Sequence, residues 1–230
     1  MEHLYHRRVL ARALGARVSA RALAAVTAAN LGQDSLWGLV GHPEFHADDS
    51  RFAEALAYME ANRARAARAP RPEAAWAAFG RLSHAAQDFY SHSNYVALWL
   101  EVRAGVARLA RPGLAMAMDT ARWPAPAAID GLDPQILKHP RLMSGHVYYP
   151  IEALWLFPGL HPFVQRLVPP DAHAWMNLDN PETGPLFPFS LEAAVQRTLA
   201  EFDRTLAAIG EEQGGAAVRA VLDQAAGVAV

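Results

Sequence analysis

Alanine fills 48 of the 230 positions of this chain, and leucine and arginine are also abundant. Alanine and straight-chain side chains lose little conformational entropy in a helix, so this composition favours helices over strands. We therefore predict an all-α fold. The length is typical of one domain, and we expect a single helical domain over residues 1–230, built as a helical bundle with long ordered loops.

Apolar spacing and helix-breaking residues divide the chain into predicted helices. The first apolar stretch covers residues 4–31, and Gly15 separates it into two helices. Residues 112–188 hold thirteen of the sixteen prolines, which predicts long loops around short helices. Ser190 is the predicted N-cap of a late helix. The remaining predicted helices cover residues 51–67, 73–89 and 191–209, with a last one after Gly214 that frays over 227–230.

The chain has no cysteine, a net charge of −2 and a pI near 6.5. Disulfides, thiolate catalysis and cysteine-ligated zinc are therefore excluded. The near-neutral charge provides no global basic field to attract nucleic acid or an anionic membrane, although local arginine clusters exist. The sequence has no recognisable secretory signal and no apolar run of about 18 residues. We expect a cytoplasmic protein, without excluding export.

The most informative motif lies between Gly80 and Asn94, where His84, Asp88 and His92 are spaced four residues apart. If one helix continues through His92, steps of four advance about 400° and keep the three side chains on one face. Eight residues rise about 12 Å, whereas imidazole nitrogens bind zinc at about 2.0–2.1 Å, so both histidines cannot share one ion. Asp88 has two oxygens and can bridge two metals. The alternative is a solvated polar face.

Other His and Asp residues are concentrated in the segments 30–34, 42–49 and 173–181. Histidine and carboxylate are the ligands that a cysteine-free zinc or iron site must use. Each residue also has a simpler interpretation. Asp34 would be a polar residue at a helix end, His46 and the aspartates after it an N-cap group, and Asp179 a turn residue before proline.

Most of these His, Asp and Asn residues fall in four short motifs. The motifs are Asn30-x-x-x-Asp34, His46-x-Asp48, His84-x-x-x-Asp88-x-x-x-His92-Ser-Asn94 and Asn177-x-Asp179-Asn180-Pro181. Over roughly residues 3–205, the chain resembles bacterial relatives of the heterokaryon-incompatibility C proteins. These are similar to zinc-dependent phospholipase C and the fungal single-strand nucleases. In that superfamily an all-helical domain holds three zinc ions at the bottom of a cleft and hydrolyses phosphodiesters. The resemblance implies a helical fold of the zinc-dependent phospholipase C type.

The resemblance also implies metal ligands at the matching positions. Asp34, His46, His84 and Asp88 would hold the first zinc, with Asp88 reaching a second ion and His92 binding another metal. Two or three zinc ions are implied as cofactors. Asp34 and Asp88 are the candidate catalytic carboxylates.

Further ligands are less closely specified by the resemblance. His6 is similar to the family's first-helix histidine, with His3 as an alternative, and His173 or Asp179 would complete the remaining ligand set. Two amides are candidates to orient ligand histidines through hydrogen bonds, with local capping as the alternative: Gln87 and Asn94.

The chain departs from the phospholipase pattern at three places. The phospholipases have a Trp whose amino group and carbonyl bind zinc, where this chain has Met1. Asp88 and His92 are four residues apart rather than six. The late His-x-x-x-Glu pair has no clean match, since His146 and Glu152 are six apart with a proline between them.

The stretch from Tyr148 to Phe163 is rich in aromatic and aliphatic residues. Such a stretch is typical of a buried core, with a lipid-binding cleft or a bilayer surface as the alternative.

Taken together, the motifs predict a zinc-dependent phosphodiester hydrolase that acts on a phospholipid or another phosphodiester, with peripheral membrane contact. Single-stranded nucleic acid is the less favoured substrate. The alternatives are a metal-stabilised interaction protein with a closed structural ion, and a metal-free helical bundle.

Overall fold

The structure, a computed structural model, describes residues 1–39, 41–107 and 120–224. These residues form helices and loops, with no strand among them beyond two isolated bridge pairs. The all-α prediction is confirmed. The α-helices are α1 (His3–Leu14), α2 (Ala20–Leu31), α3 (Leu36–Leu39), α4 (Pro43–His46), α5 (Phe52–Ala67), α6 (Pro72–His92), α7 (Tyr95–Ala104), α8 (Pro134–Leu137), α9 (His161–Leu167), α10 (His173–Met176), α11 (Phe187–Gln213) and α12 (Gly215–Leu222).

Helix α6 is the central helix of the fold. It packs against α2, α5 and α11, and fifteen of its 21 residues are buried. Pro72 begins the helix, where its missing N–H would have no partner in any case. The helix is longer than predicted, because it ends at His92 rather than at Phe89. His84, Asp88 and His92 therefore lie on successive turns of one helix.

Helix α11 begins earlier than the sequence analysis predicted. Pro188 lies in its first turn, so Ser190 is inside the helix and is not its N-cap. The N-cap prediction is wrong because Pro188 holds the backbone before Ser190 in the helical range. The Ser190 hydroxyl instead donates to the backbone oxygen of Tyr90 at 3.0 Å. Gly15 and Gly214 end α1 and α11, as predicted.

The proline-rich part of the chain forms short helices joined by loops, as expected. Between residues 120 and 186 these are α8, α9, α10 and several 3-10 turns, including Ile151–Leu156. The predicted loop residues 112–119 and the predicted frayed end at 227–230 lie outside the described residues. Within the described ranges, none of the helices combines the length and the apolar character needed to cross a membrane.

Gly80 marks a close approach of α6 to α2. A Cβ atom at this position would lie 2.7 Å from the Cβ of Ala29 and closer still to the carbonyl oxygen of Val26. We expect Gly80→Ala to lower the free energy of unfolding by about 1–3 kcal/mol, although alanine favours helix, because α2 must move away. Thermal denaturation followed by circular dichroism measures the change.

The matched control for this prediction is Gly32→Ala. Gly32 has helical dihedral angles and no atom near the position of an added Cβ. This variant should melt at or slightly above the wild-type temperature. Equal melting temperatures for Gly80→Ala and Gly32→Ala would contradict the close packing of α2 on α6.

Candidate metal centre

Helix α6 carries three titratable side chains on one buried face. His84, Asp88 and His92 are at most 4% exposed, and His84 Nε2 lies 3.0 Å from Asp88 Oδ2 across one turn. The alternative of a solvated polar face is therefore wrong. Since the helix continues through His92, the predicted geometry of three side chains on one face is confirmed.

Four donor atoms from three parts of the chain converge beside α6. We call this set the first cluster, and it consists of Asp34, His46, His84 and Asp88. Asp34 ends the 3-10 turn after α2, and His46 is the last residue of α4. His46 Nδ1 lies 3.1 Å from His84 Nε2, and both nitrogens lie 3.0 Å from Asp88 Oδ2. Asp34 Oδ1 lies 3.4 Å from His84 Nε2 and 3.9 Å from His46 Nδ1.

The separations in the first cluster are close to those of ligands around a small metal ion. Tetrahedral bonds of about 2.0–2.2 Å to nitrogen and oxygen place neighbouring ligand atoms about 3.3–3.6 Å apart. Five separations in the cluster lie between 3.0 and 3.9 Å, on either side of that range, so shifts of a few tenths of an ångström would bring the donors around one ion. Two imidazoles and two carboxylates also form a donor set that suits zinc or iron. The first cluster could therefore hold one metal ion.

Groups outside the first cluster orient two histidines by hydrogen bonds: His46, which belongs to the cluster, and His6, which lies beside it. His46 Nε2 lies 3.2 Å from the backbone oxygen of Gly38, which leaves Nδ1 facing Asp88. His6 Nδ1 lies 2.6 Å from Gln87 Oε1, and its Nε2 lies 3.2 Å from Asp88 Oδ1. This Nε2 is buried without an aligned hydrogen bond. Such an arrangement is expected of a metal-binding nitrogen, because the opposite ring nitrogen of a ligand histidine is held by a partner.

A second cluster consists of Asp48, His92 and His173. Asp48 Oδ1 lies 3.3 Å from His92 Nδ1 and 3.2 Å from His173 Nδ1. Ala47 has a left-handed φ of 55°, and this turn allows His46 and Asp48 to face different clusters. His84 and His92 thus belong to separate clusters, as the rise of α6 predicted.

Asp48 is the donor that sequence reasoning missed. An N-cap group for the next helix is the simpler interpretation that the sequence allows for the aspartates after His46. That interpretation is wrong for Asp48, because α5 has Arg51 at its N-cap and no side-chain capping bond. The available signal was the spacing His46-x-Asp48. Spacing alone could not reveal the left-handed turn that separates the two side chains.

Asp179 lies between the second cluster and the amino group of Met1. Its Oδ1 is 3.2 Å from His92 Nε2 and 2.8 Å from the Met1 nitrogen. That nitrogen also lies 2.8 Å from Asp88 Oδ1. Burial would lower the pKa of the amino group, but Asp179 and Asp88 outweigh burial and raise the pKa to about 11. An ammonium group is therefore enclosed between Asp179 and Asp88 of the first cluster.

Four buried carboxylates face cationic groups in the centre. Burial acts to raise the pKa of Asp34, Asp48, Asp88 and Asp179, but cationic neighbours outweigh it and lower each pKa, to about 2 for Asp34 beside His84. Burial would lower the pKa of His84, but Asp88 and Asp34 raise it to about 9. All four carboxylates are ionised at neutral pH, and protonated His84 and the Met1 ammonium group occupy the place of cationic partners that a metal ion would take.

A buried carboxylate holds the helix that carries His173. Glu152 Oε1 accepts a hydrogen bond of 2.7 Å from the Ala174 amide, and Oε2 accepts one of 2.6 Å from the Tyr148 amide. Glu152 therefore fixes the start of α10, where His173 is the first residue. His146 was compared with Glu152 as the nearest equivalent of the family's late His-x-x-x-Glu pair. In the structure His146 is half-exposed and belongs to neither cluster.

Asn94 has a different role from the one predicted. Its side-chain amide donates to the backbone oxygen of Arg141 at 2.8 Å, and its Oδ1 accepts from the amide of Met143 at 2.9 Å. None of its described hydrogen bonds reaches a histidine. Asn94 joins the turn between α6 and α7 to the loop that contains Arg141 and Met143. Gln87, the other candidate amide, does contact a histidine, His6.

A cleft of about 210 Å³ opens beside both clusters. His84 and Asp88 lie beneath its surface, and the donors that line it are Asp34, His46, Asp48, His92, His173 and Asp179. The rest of the lining is mainly apolar and includes Leu39, Val147, Tyr149 and Ala153. A small molecule can therefore reach donors of both clusters from solvent.

The fold and this centre define an all-helical protein with two adjacent His/Asp clusters that could hold metal ions. Residues 3–120, just over half of the chain, match the family described as the VWA7 N-terminal domain, and the chain belongs to that family. The matched range contains the whole first cluster and two members of the second, Asp48 and His92, whereas His173 lies beyond it. No curated protein and no solved structure matches the chain.

Proposed function

We propose that this protein is a metal-dependent phosphodiester hydrolase with zinc at the two clusters. The observation that carries the proposal is the first cluster, whose four buried or partly buried donors converge to within 4.8 Å of one another, with separations close to those of zinc ligands. The second cluster supplies three donors and lies at an open cleft. Three protein ligands with a free position are typical of catalytic zinc, whereas four are typical of structural zinc. The resemblance of the sequence motifs to those of zinc-dependent phospholipase C also supports the proposal.

Bound metal ions at such a site lower the pKa of a water molecule and stabilise the charge that develops on a phosphodiester during in-line displacement. Asp34 lines the cleft. Its Oδ1 faces His84 and His46 in the first cluster, and its Oδ2 is buried 3.1 Å from His3 Nε2. We therefore assign Asp34 to holding the metal ion that would activate water. Asp88 does not line the cleft and is 0% exposed. We assign Asp88 to the first cluster as a metal ligand rather than to proton transfer.

The charges around the cleft favour a small phosphodiester over a polyanion. Four carboxylates repel phosphate, so binding of an anionic substrate depends on metal neutralising them. Among the residues that line the cleft, none is Arg or Lys, although nucleic acids are bound largely through such side chains. Leu39, Tyr149 and Ala153 instead form an apolar wall. A phospholipid, which combines one phosphodiester with apolar chains, fits this cleft best.

A second candidate function is that of an interaction protein stabilised by a structural metal. The first cluster favours it, because its four protein donors can complete a tetrahedral site and leave no position for water. In that case the second cluster would be a polar network around Asp48. The two functions differ in turnover when the protein is loaded with metal.

The experiment measures hydrolysis by the full chain, purified without chelator or histidine tag and loaded with zinc. Substrates are bis(p-nitrophenyl) phosphate, p-nitrophenylphosphorylcholine, phosphatidylcholine vesicles and single-stranded DNA. We expect turnover of phosphodiesters that falls at least about 100-fold in the double variant His84→Ala/Asp88→Ala, because two metal ligands of the first cluster are lost. The matched control is His139→Ala, since the described hydrogen bond of the His139 side chain is one that it accepts from the Arg141 amide, outside both clusters.

Two results would refute the proposal. Turnover that is unchanged in a folded His84→Ala/Asp88→Ala variant would separate the activity from the clusters. Absence of turnover on every substrate, with the clusters fully loaded with metal, would favour the structural-metal protein. In both cases circular dichroism establishes that the variants are folded.

A further inference from the structure

Large apolar side chains are concentrated on one part of the surface. Ten such side chains are exposed among the described residues, and eight of them lie in only two segments, 36–37 and 149–167. Trp37 is the most exposed, at 85%. Single exposed apolar residues are ordinary, but concentrated ones mark a binding surface. We call these eight the apolar rim: Leu36, Trp37, Tyr149, Leu154, Phe157, Leu160, Phe163 and Leu167.

The apolar rim borders the mouth of the metal-binding cleft. The Tyr149 hydroxyl donates to the backbone oxygen of Leu39 at 2.8 Å, and this bond joins the two segments. Leu39, Tyr149 and Ala153 also line the cleft itself. The rim therefore meets the apolar wall of the cleft at Tyr149, next to the donors.

Helix α9 shows that the exposed side chains belong to an anchored element. Val164 is fully buried and packs in a small core with Val168. Phe163 and Leu167, four residues apart, share the other face and are each 52% exposed. A helix that is apolar on both faces is normally covered on both. The outward face of α9 therefore requires a partner.

The charges of this surface indicate the chemistry of the partner. Residues 153–170 contain one charged side chain, Arg166, which is exposed, and no carboxylate. Trp, Tyr and Phe together with a basic residue favour the boundary between water and lipid, where the rings are buried and the cation meets phosphate. A protein seated on the rim would cover the cleft, whereas a lipid surface presents phosphodiesters to it.

We propose that the apolar rim docks the cleft onto a phospholipid surface, with Arg166 near the headgroups. The choice of lipid as the occupant rests on the proposed phosphodiesterase function. The rim removes a phospholipid's apolar chains from water while its phosphodiester reaches Asp34 and the second cluster. Docking needs no membrane-spanning helix, since it is peripheral.

The test compares vesicle binding of the full wild-type chain with that of one variant in the apolar rim and one control variant outside it. Sedimentation with phosphatidylcholine vesicles, with and without phosphatidylserine, gives the bound fraction. Trp37→Ser/Phe163→Ser should bind about tenfold or more weakly, because less apolar surface is withdrawn from water. The matched control is Leu56→Ser, since Leu56 is 50% exposed but lies on α5 outside the rim. It should bind vesicles like the wild type.

Hydrolysis assays separate this inference from the proposed function. We expect Trp37→Ser/Phe163→Ser to reduce hydrolysis of vesicle phospholipid about tenfold more than hydrolysis of bis(p-nitrophenyl) phosphate, which needs no lipid surface. Rim-dependent vesicle binding without any hydrolysis would refute the phosphodiesterase and leave the docking surface standing. Hydrolysis of the soluble diester without vesicle binding would refute the docking surface alone.

Two further results would overturn the docking proposal. Equal loss of vesicle binding in Leu56→Ser and in the rim variant would show that the rim is not the surface involved. A wild-type dimer in light scattering that becomes a monomer in Trp37→Ser/Phe163→Ser would assign the rim to contacts between copies of this chain.

Discussion

Replacing Asp88 by asparagine is expected to abolish metal binding at the first cluster and to lower the free energy of unfolding by about 3–5 kcal/mol. Asp88 Oδ2 lies 3.0 Å from both His46 Nδ1 and His84 Nε2, and its Oδ1 lies 2.8 Å from the Met1 nitrogen. Asparagine preserves the shape but carries no charge, so buried cations lose their partner. Plasma mass spectrometry gives the metal per chain, and thermal denaturation gives the stability.

The control for this prediction is Asp203→Asn. Asp203 pairs with Arg17 at the surface, where its side chain is 60% exposed. Exposed ion pairs contribute about 1 kcal/mol or less, so this variant should retain wild-type metal content and stability. An Asp88→Asn variant with the wild-type metal content would contradict the assignment of the first cluster.

Removal of metal with a chelator should lower the melting temperature of the wild-type protein by about 8–16 °C. Free metal at about 1,000 times its dissociation constant stabilises the native state by about 4 kcal/mol. In a chain of this size that free energy corresponds to the stated shift. The physical reason is that the ion binds donors that are brought together only in the folded chain. Differential scanning calorimetry measures the shift.

Two controls define this second prediction. Added zinc should restore the melting temperature, whereas magnesium should not, because magnesium prefers oxygen ligands and both clusters contain imidazole. The His84→Ala/Asp88→Ala variant should respond less to the chelator. A wild-type protein that contains no metal, and whose melting temperature is the same with chelator and with zinc, would refute both clusters as metal sites.

The sequence was most informative where the structure depends on neighbours along the chain. The break at Gly15, the start of α6 at Pro72 and the shared face of His84, Asp88 and His92 follow from local backbone geometry. The end of α6 and the start of α11 were misjudged by three or four residues. Packing and a proline in the first turn, rather than local propensity, decided those boundaries.

The aromatic stretch from Tyr148 to Phe163 is a second case in which packing, rather than local sequence, decided the outcome. Composition favoured a buried core, but Tyr149, Phe157 and Phe163 are exposed, and Tyr149 lines the cleft. Apolar character is visible in the sequence, whereas exposure depends on what the rest of the chain packs against. Residues 149–167 pack mainly among themselves and on α10, so one side remains uncovered.

By itself, the sequence determined an all-helical chain without cysteine in which one helix presents two histidines and an aspartate on one face. Only the tertiary structure decided their partners. His92 meets Asp48 and His173, which lie 44 and 81 residues away along the chain, through a left-handed turn at Ala47 and a helix start held by Glu152. The spacing along one helix is fixed by 3.6 residues per turn, but contacts between distant segments depend on packing that no local pattern encodes.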